Sequence, residues 1–135
     1  MNNKTILLLL IFGLSFTTLK AQKSETFTPK KGMYKVTVMY ANGPDKKFDM
    51  EYYKHTHMPL MAKIFGSGLK HLSIDKGLKN GTPGQPTPFL AIGYLYFENL
   101  SAYQEVLDKN AAQIRADFPK YTNITPTVQI SEIIQ

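Results

Sequence analysis

Three histidines, ten carboxylates and no cysteine make up the acid–base inventory of this 135-residue chain. Without cysteine there is no disulfide framework, thiolate metal site, thiol nucleophile or lipid-modified N-terminal Cys. Two of the histidines stand in His55-Thr56-His57. On a helix, side chains two residues apart diverge by about 200°, so the pair cannot share a metal without distortion. A His-x-His ligand pair also wants a strand and a third ligand, and no further His/Glu cluster supplies one, so no metal site is expected. The two rings can be told apart by face. Tyr53, His57, Leu60 and Ile64 follow i, i+4, i+7, i+11, one stripe of a helix, while Glu51, Lys54, His55 and Met58 fall on the other side. His57 is expected to point toward the core, and His55 outward beside Glu51, its i−4 neighbour.

His57 then has two readings. It is a core histidine satisfied by a backbone carbonyl, or it lines a small-molecule pocket between helix and sheet, where a near-neutral pKa suits it to proton transfer. In the second reading Tyr53, one turn earlier, donates a further hydrogen bond. Asp117 ends a later helix in Asp117-Phe118-Pro119-Lys120-Tyr121-Thr122-Asn123. A carboxylate near a helix C-terminus opposes the dipole, which points to another use for it, such as a bond to His57 or a substrate; the alternative is a solvated turn aspartate. Tyr121 and Asn123 are either substrate-binding residues of the pocket or turn structure. The glycines at 77, 81 and 84 follow no G-x-G-x-x-G spacing and precede no helix, and there is no nucleophile elbow. No cofactor is expected.

The elements that must carry these residues read in the order β-α-β-β-α-β. Met33 to Ala41 alternates with period two and stops at Asn42-Gly43-Pro44-Asp45. A helix opens with Asp49 as N-cap and runs to Phe65, with Gly66 and Gly68 ending it. Pro59 is expected to kink or break it and to bias Met58 away from helical angles. Leu69 to Leu78 is a weaker strand and 79–88 a Gly/Pro-rich loop. Phe89 to Phe97 is the strongest strand. Ser101 is a candidate cap for a second helix carrying Leu100, Tyr103, Leu107, Ile114 and Phe118, which Pro119 ends; Thr127 to Ile134 is the last strand.

That order is the ferredoxin-like split βαβ: an α+β fold with a four-stranded antiparallel sheet and two helices on one face. The strand from Phe89 to Phe97 is apolar on both sides, whereas a strand with one wet face should alternate with polar residues. Phe89, Ala91, Leu95 and Phe97 lie on one side and Leu90, Ile92, Tyr94 and Tyr96 on the other; whichever set the helices leave uncovered is a patch of the kind that marks an interface, and a second copy is its simplest cover, giving a homodimer through the open sheet face.

The N-terminus reads differently. Lys4, an eleven-residue apolar run from Ile6 to Phe16 and a small residue at Ala21 make a secretory signal over residues 1–21; the run is too short for a bilayer core. A retained membrane anchor is the alternative. Residues 22–32 are a flexible lead-in and 33–135 the folded domain. Cleavage after Ala21 lowers the formal charge from +6 to +4 and leaves no stable membrane span. The destination is exported, periplasmic or extracellular. The dense basic pairs, Lys30-Lys31 and Lys46-Lys47, lack interleaved aromatics, so no nucleic-acid partner is expected.

Three segments resemble the EthD family: Val36-Thr37-Val38-Met39-Tyr40, Tyr52-Tyr53-x-x-x-His57-Met58-Pro59-Leu60 and Asp117-Phe118-Pro119-x-Tyr121-Thr122. Gln129-Ile130-Ser131-Glu132 is similar to that family's ending. The resemblance covers about residues 33–134 and implies a dimeric α+β barrel, a ferredoxin-like protomer whose sheet stacks on that of a second copy. It also implies an association with ether degradation and an oxidoreductase or reductase activity. By motif position His57 matches the family histidine, with Tyr53, Pro59 and Asp117 beside it. Export sets the chain apart from cytosolic members that draw on nicotinamide cofactors. Two functions are compatible with this reading: an EthD-like oxidoreductase acting on a small organic substrate, with His57 moving a proton and Tyr53 and Asp117 orienting it, or a non-catalytic small-ligand-binding homodimer.

Overall fold

A computed structural model describes residues 26–135; the expected signal segment lies outside the described residues, as do the first residues of the lead-in. The elements are β1 (Tyr34–Ala41), α1 (Met50–Tyr52), a π-helical turn (Tyr53–His57), α2 (Met58–Phe65), β2 (Leu69–Lys76), β3 (Phe89–Phe97), α3 (Leu100–Asp117) and β4 (Thr127–Glu132). Short 3-10 turns, Gly66–Gly68 and Phe118–Lys120, close α2 and α3. The sheet order is β2-β3-β1-β4 with every pair antiparallel, the ferredoxin-like α+β arrangement.

The sheet is open. Its outer strands, β2 and β4, are separated by β3 and β1 and do not pair with each other. A barrel requires the first and last strands to bond, which β2 and β4 of this four-stranded sheet do not do. The expected α+β barrel is therefore corrected to an open sheet with helices on one side.

The inward residues alternate as period two demands: Val36 and Tyr40 on β1, Ala91, Gly93, Leu95 and Phe97 on β3 are buried. Their outward neighbours Leu90, Ile92, Tyr94 and Tyr96 are half-buried, and part of that face is covered by Phe27, which stacks on His71 at 4.3 Å and lies 5.1 Å from Tyr96. Helical cover fades toward β4. Ile130 and Val128 sit opposite Val36 and Val38 and so share the inward face, yet they are 43% and 48% exposed while Val36 is 1%.

Two expectations about the helices change. Asp49 does cap α1, accepting from Tyr52 N at 3.0 Å, but α3 is capped by Asn99, not Ser101: Asn99 Oδ1 accepts from Ser101 N at 2.9 Å and from its hydroxyl at 2.7 Å. Pro59 neither kinks the chain out of helical angles nor breaks it, since Met58 keeps φ −68° and ψ −37°. Pro59 instead sits in the first turn of α2, where a missing donor costs little, and the irregularity is absorbed upstream as the wide turn Tyr53–His57. Gly66, at φ +54°, then ends α2 in a conformation that favours glycine.

Candidate functional site

The π turn positions the site. Its backbone N–H of Met58 bonds back five residues to Tyr53 O, one residue more than an α-helix would allow. The extra residue shifts the inward face. Before it Tyr53 and His57 point in; after it Met58, Met61 and Phe65 are buried and Leu60 and Ile64 only half-buried. The single stripe Tyr53-His57-Leu60-Ile64 is thus right in its first half and one residue out in its second, and Met58 moves from the expected outer face to the core. Tyr53 and His57 end with nearly parallel rings, centroids 5.5 Å apart.

His57 is 3% exposed, and its two ring nitrogens have different partners. Nδ1 lies 2.8 Å from Asp117 Oδ2, and Nε2 lies 3.3 Å from the Tyr121 hydroxyl. Asp117 is itself buried and receives two further donors on Oδ1, the Tyr52 hydroxyl at 3.0 Å and Lys120 Nζ at 3.1 Å. The Tyr121 hydroxyl continues to Tyr40 at 2.8 Å. One chain of polar groups therefore runs from the exposed Lys120 through Asp117, His57 and Tyr121 to Tyr40.

Local structure explains the convergence. The turn after α3 is laced to the chain before α1: Asp49 N donates to Tyr121 O at 2.7 Å, and Phe48 bridges Thr122. Asn123 belongs to this lacing. Its Oδ1 accepts from Lys47 N and its Nδ2 donates to Asp45 O, both at 2.8 Å, and it is exposed. Asn123 therefore holds the frame that presents Tyr121 and does not itself reach the cavity. Tyr53 is placed by Gly93: a Cβ at position 93 would collide with the Tyr53 hydroxyl and come within 3.1 Å of Met58 Cε. Tyr53 stacks on His57 but makes no hydrogen bond to it.

Burial lowers the pKa of His57, against the raising effect of Asp117, so the ring is neutral at neutral pH. Burial also acts to raise the Asp117 carboxyl, but the bonds from His57, Lys120 and Tyr52 outweigh it and hold Asp117 below the usual carboxylate range. Burial pushes the hydroxyls of Tyr40, Tyr53 and Tyr121 well above their ordinary value, so all three stay protonated.

Beside this chain lies a cavity of about 100 Å³. Tyr40, Tyr53 and His57 supply its polar wall; Met58, Met61, Phe65, Leu95 and Tyr103 form the apolar depth; Leu107, Pro126 and Val128 border it toward β4. Such a hollow, mostly apolar with a few convergent polar groups, is the form small-molecule sites take. Among the described residues no group of three His, Asp or Glu side chains could hold a metal ion, and no helix is long and apolar enough to cross a membrane. His55 lies on the outer side, 3.3 Å from Glu51.

The structure brings His57, Asp117, Tyr53 and Tyr121 together and leaves Asn123 apart. Three participants escape the sequence reading. Tyr40 is placed on the inward face by period two, but its bond to Tyr121 spans 81 residues. Tyr52 is one residue from a candidate yet reaches Asp117 across 65 residues. Lys120 had a local signal, the i, i+3 spacing from Asp117.

Comparison with known proteins agrees with the fold. The model of the EthD domain matches residues 41–125. An EthD-like protein from Ralstonia eutropha JMP134 is 32% identical, with a TM-score of 0.74 over 78% of this chain and 96% of that one. An ethyl tert-butyl ether D (EthD) family protein from Bacillus halodurans C-125 is 22% identical, with a TM-score of 0.53 over 76% of this chain and 99% of that one, a likeness of fold alone. No protein of curated function matches the chain.

Proposed function

The chain belongs to the EthD family, and from that premise we propose that it is an oxidoreductase of the EthD type acting on a small organic substrate held in the cavity between helices and sheet. The observation that carries the reading is the buried His57–Asp117 pair, 2.8 Å apart, at the wall of an apolar hollow. A buried imidazole whose Nδ1 is fixed by a carboxylate offers Nε2 as a base, and desolvation keeps it neutral and ready to take a proton. Tyr53 orients the substrate against the ring, Asp117 orients the ring and stabilises the imidazolium that forms, and Tyr121 holds Nε2 until substrate arrives. The reading includes export and a homodimer formed through the open sheet face, supported by the large side chains of Leu90, Ile92, Tyr94 and Tyr96 on that side.

Turnover on a panel of small apolar alcohols, ethers and carbonyl compounds tests it. His57→Gln is expected to lower kcat/KM on any accepted substrate by about 100-fold or more, the usual worth of a general base, with the far-UV spectrum unchanged. Unchanged turnover in that variant removes the catalytic assignment. A second reading, a non-catalytic binder of small ligands, is favoured by one observation: both ring nitrogens of His57 are already bonded within the protein. It predicts weaker ligand binding in the variant and no turnover by either protein.

A further inference from the structure

Asp117 divides its two oxygens between two tasks. Oδ2 serves His57 Nδ1 alone, while Oδ1 takes both the Tyr52 hydroxyl, from α1, and Lys120 Nζ, from the turn after α3. A carboxyl with three donors aimed at it is the anion and can only accept. The proton of the His57–Asp117 bond therefore sits on Nδ1, and the neutral ring keeps Nε2 as its basic nitrogen. A carboxylate on a single bond can rotate and exchange its oxygens. Here two donors from separate elements hold Oδ1, so Oδ2 stays within reach of the ring.

The same two donors act on charge. A buried carboxylate with no other partner would concentrate its negative charge on the ring beside it and favour the imidazolium. Such a ring would be protonated before a substrate arrived, and a protonated ring is no base. In this protein the Lys120 ammonium stands 3.1 Å from the far oxygen and the Tyr52 hydroxyl 3.0 Å from it. What faces His57 is thus a carboxylate already partly neutralised from the other side. The remaining groups against the ring carry no charge: Tyr53 from its own turn, and Phe118 and Tyr121 from the turn after α3. Tyr40 of β1 follows one bond beyond Tyr121. Among the described residues no charged group other than Asp117 bears on the ring.

We infer that Tyr52 and Lys120 are positioning residues of the site: acting through Asp117, they fix the carboxylate and temper it, so that His57 is held at Nδ1 yet stays unprotonated at Nε2. This rests on the reading of His57 as a proton acceptor. Neither residue lines the cavity, and the Lys120 side chain is exposed. The strength of a buried base is therefore set in part from the protein surface.

Titration of the His57 ring in the full protein, followed by NMR of its nitrogens, tests the inference without a substrate. Tyr52→Phe and Lys120→Met are each expected to raise the pH at which His57 titrates by about half a pH unit, the two together by about one. Loss of either donor leaves more negative charge on Oδ2, and loss of the Lys120 ammonium also removes its repulsion of an imidazolium. Lys120→Arg keeps the charge and a donor and should titrate like the unsubstituted protein. A merely structural role moves the value the other way: a carboxylate free to turn from the ring leaves the imidazolium unsupported, and the titration falls to lower pH. An unchanged or lowered value in Tyr52→Phe or in Lys120→Met overturns the inference, as does an equal rise in Lys120→Arg. The turnover of His57→Gln is a separate readout, so failure of this titration leaves the proton-acceptor reading to be judged on its own.

Discussion

His55 and His57 share one π-helical turn, and each lies beside a carboxylate, at 3.3 Å from Glu51 and 2.8 Å from Asp117. The side chain of His55 is 61% exposed and that of His57 4%. Water screens the outer pair, which spans one helical turn and is worth little. The inner pair joins two elements 60 residues apart, excludes water, and extends into Tyr121, Tyr40, Tyr52 and Lys120. Residue type and partner type are the same on both sides of the turn. What separates an incidental contact from a candidate site is therefore burial and the number of further groups that depend on the contact.

The comparison breaks first at the carboxylates. Asp117→Ala leaves a buried ring without its partner, and the loss is expected to be roughly 3 kcal/mol of unfolding free energy. Glu51→Ala should stay within about 0.5 kcal/mol. Urea denaturation of both variants checks this, and equal losses would erase the distinction drawn here. Gly93→Ala comes next, at about 1–3 kcal/mol, because the new methyl meets the Tyr53 hydroxyl. Adding Tyr53→Phe should return much of that loss, and a double-mutant cycle measures the coupling. Tyr121→Phe removes two buried bonds made by one hydroxyl and is expected to cost about 1–2 kcal/mol by the same denaturation.

Acid should act on the inner side of the turn. Burial lowers His57, so below the ordinary imidazole value of about 6.5 the unfolded chain binds a proton that the native chain refuses. Stability is then fully present above that pH and declines as pH falls toward the lowered native value. Asp117, held below the ordinary carboxylate value, adds a further loss once pH drops under about 4. Thermal melts from pH 7.5 to 3.5 should show both phases, and His57→Gln should remove the first and weaken the second, because the His57 bond is one of those that hold Asp117 low. The smallest effect is expected of His55→Gln, which should leave those melts almost unchanged.

Much of this was legible in the residues. Period two and the Gly/Pro punctuation located the four strands, with β3 correct at both ends, and the i, i+4 relation of Tyr53 and His57 put the right histidine inside. The dipole-opposed position of Asp117 left it open between a solvated turn aspartate and a bond to His57 or a substrate, and the fold makes the bond to His57. The barrel was not legible from residues at all; it came from resemblance, and the free edges of β2 and β4 correct it. Helical periodicity assumes an unbroken turn, so it could not foresee the residue added at Tyr53–His57 that exchanges Leu60 and Ile64 for Met61 and Phe65. Nor could local spacing find Tyr40 or Tyr52, whose bonds are made only when distant strands and turns are brought together. Asn123, left open between pocket lining and turn structure by its spacing, bonds Lys47 and Asp45 in the frame of the turn.

The account depends on a neutral, buried His57 with its proton on Nδ1 and directed at Asp117. Heteronuclear NMR of the imidazole nitrogens across pH 5 to 8 reads that state directly. The account predicts that His57 carries its proton on Nδ1, shows an acceptor Nε2 at pH 7 and titrates below 6.5. A ring protonated on Nε2 at neutral pH, or one that titrates at or above 6.5, would contradict it.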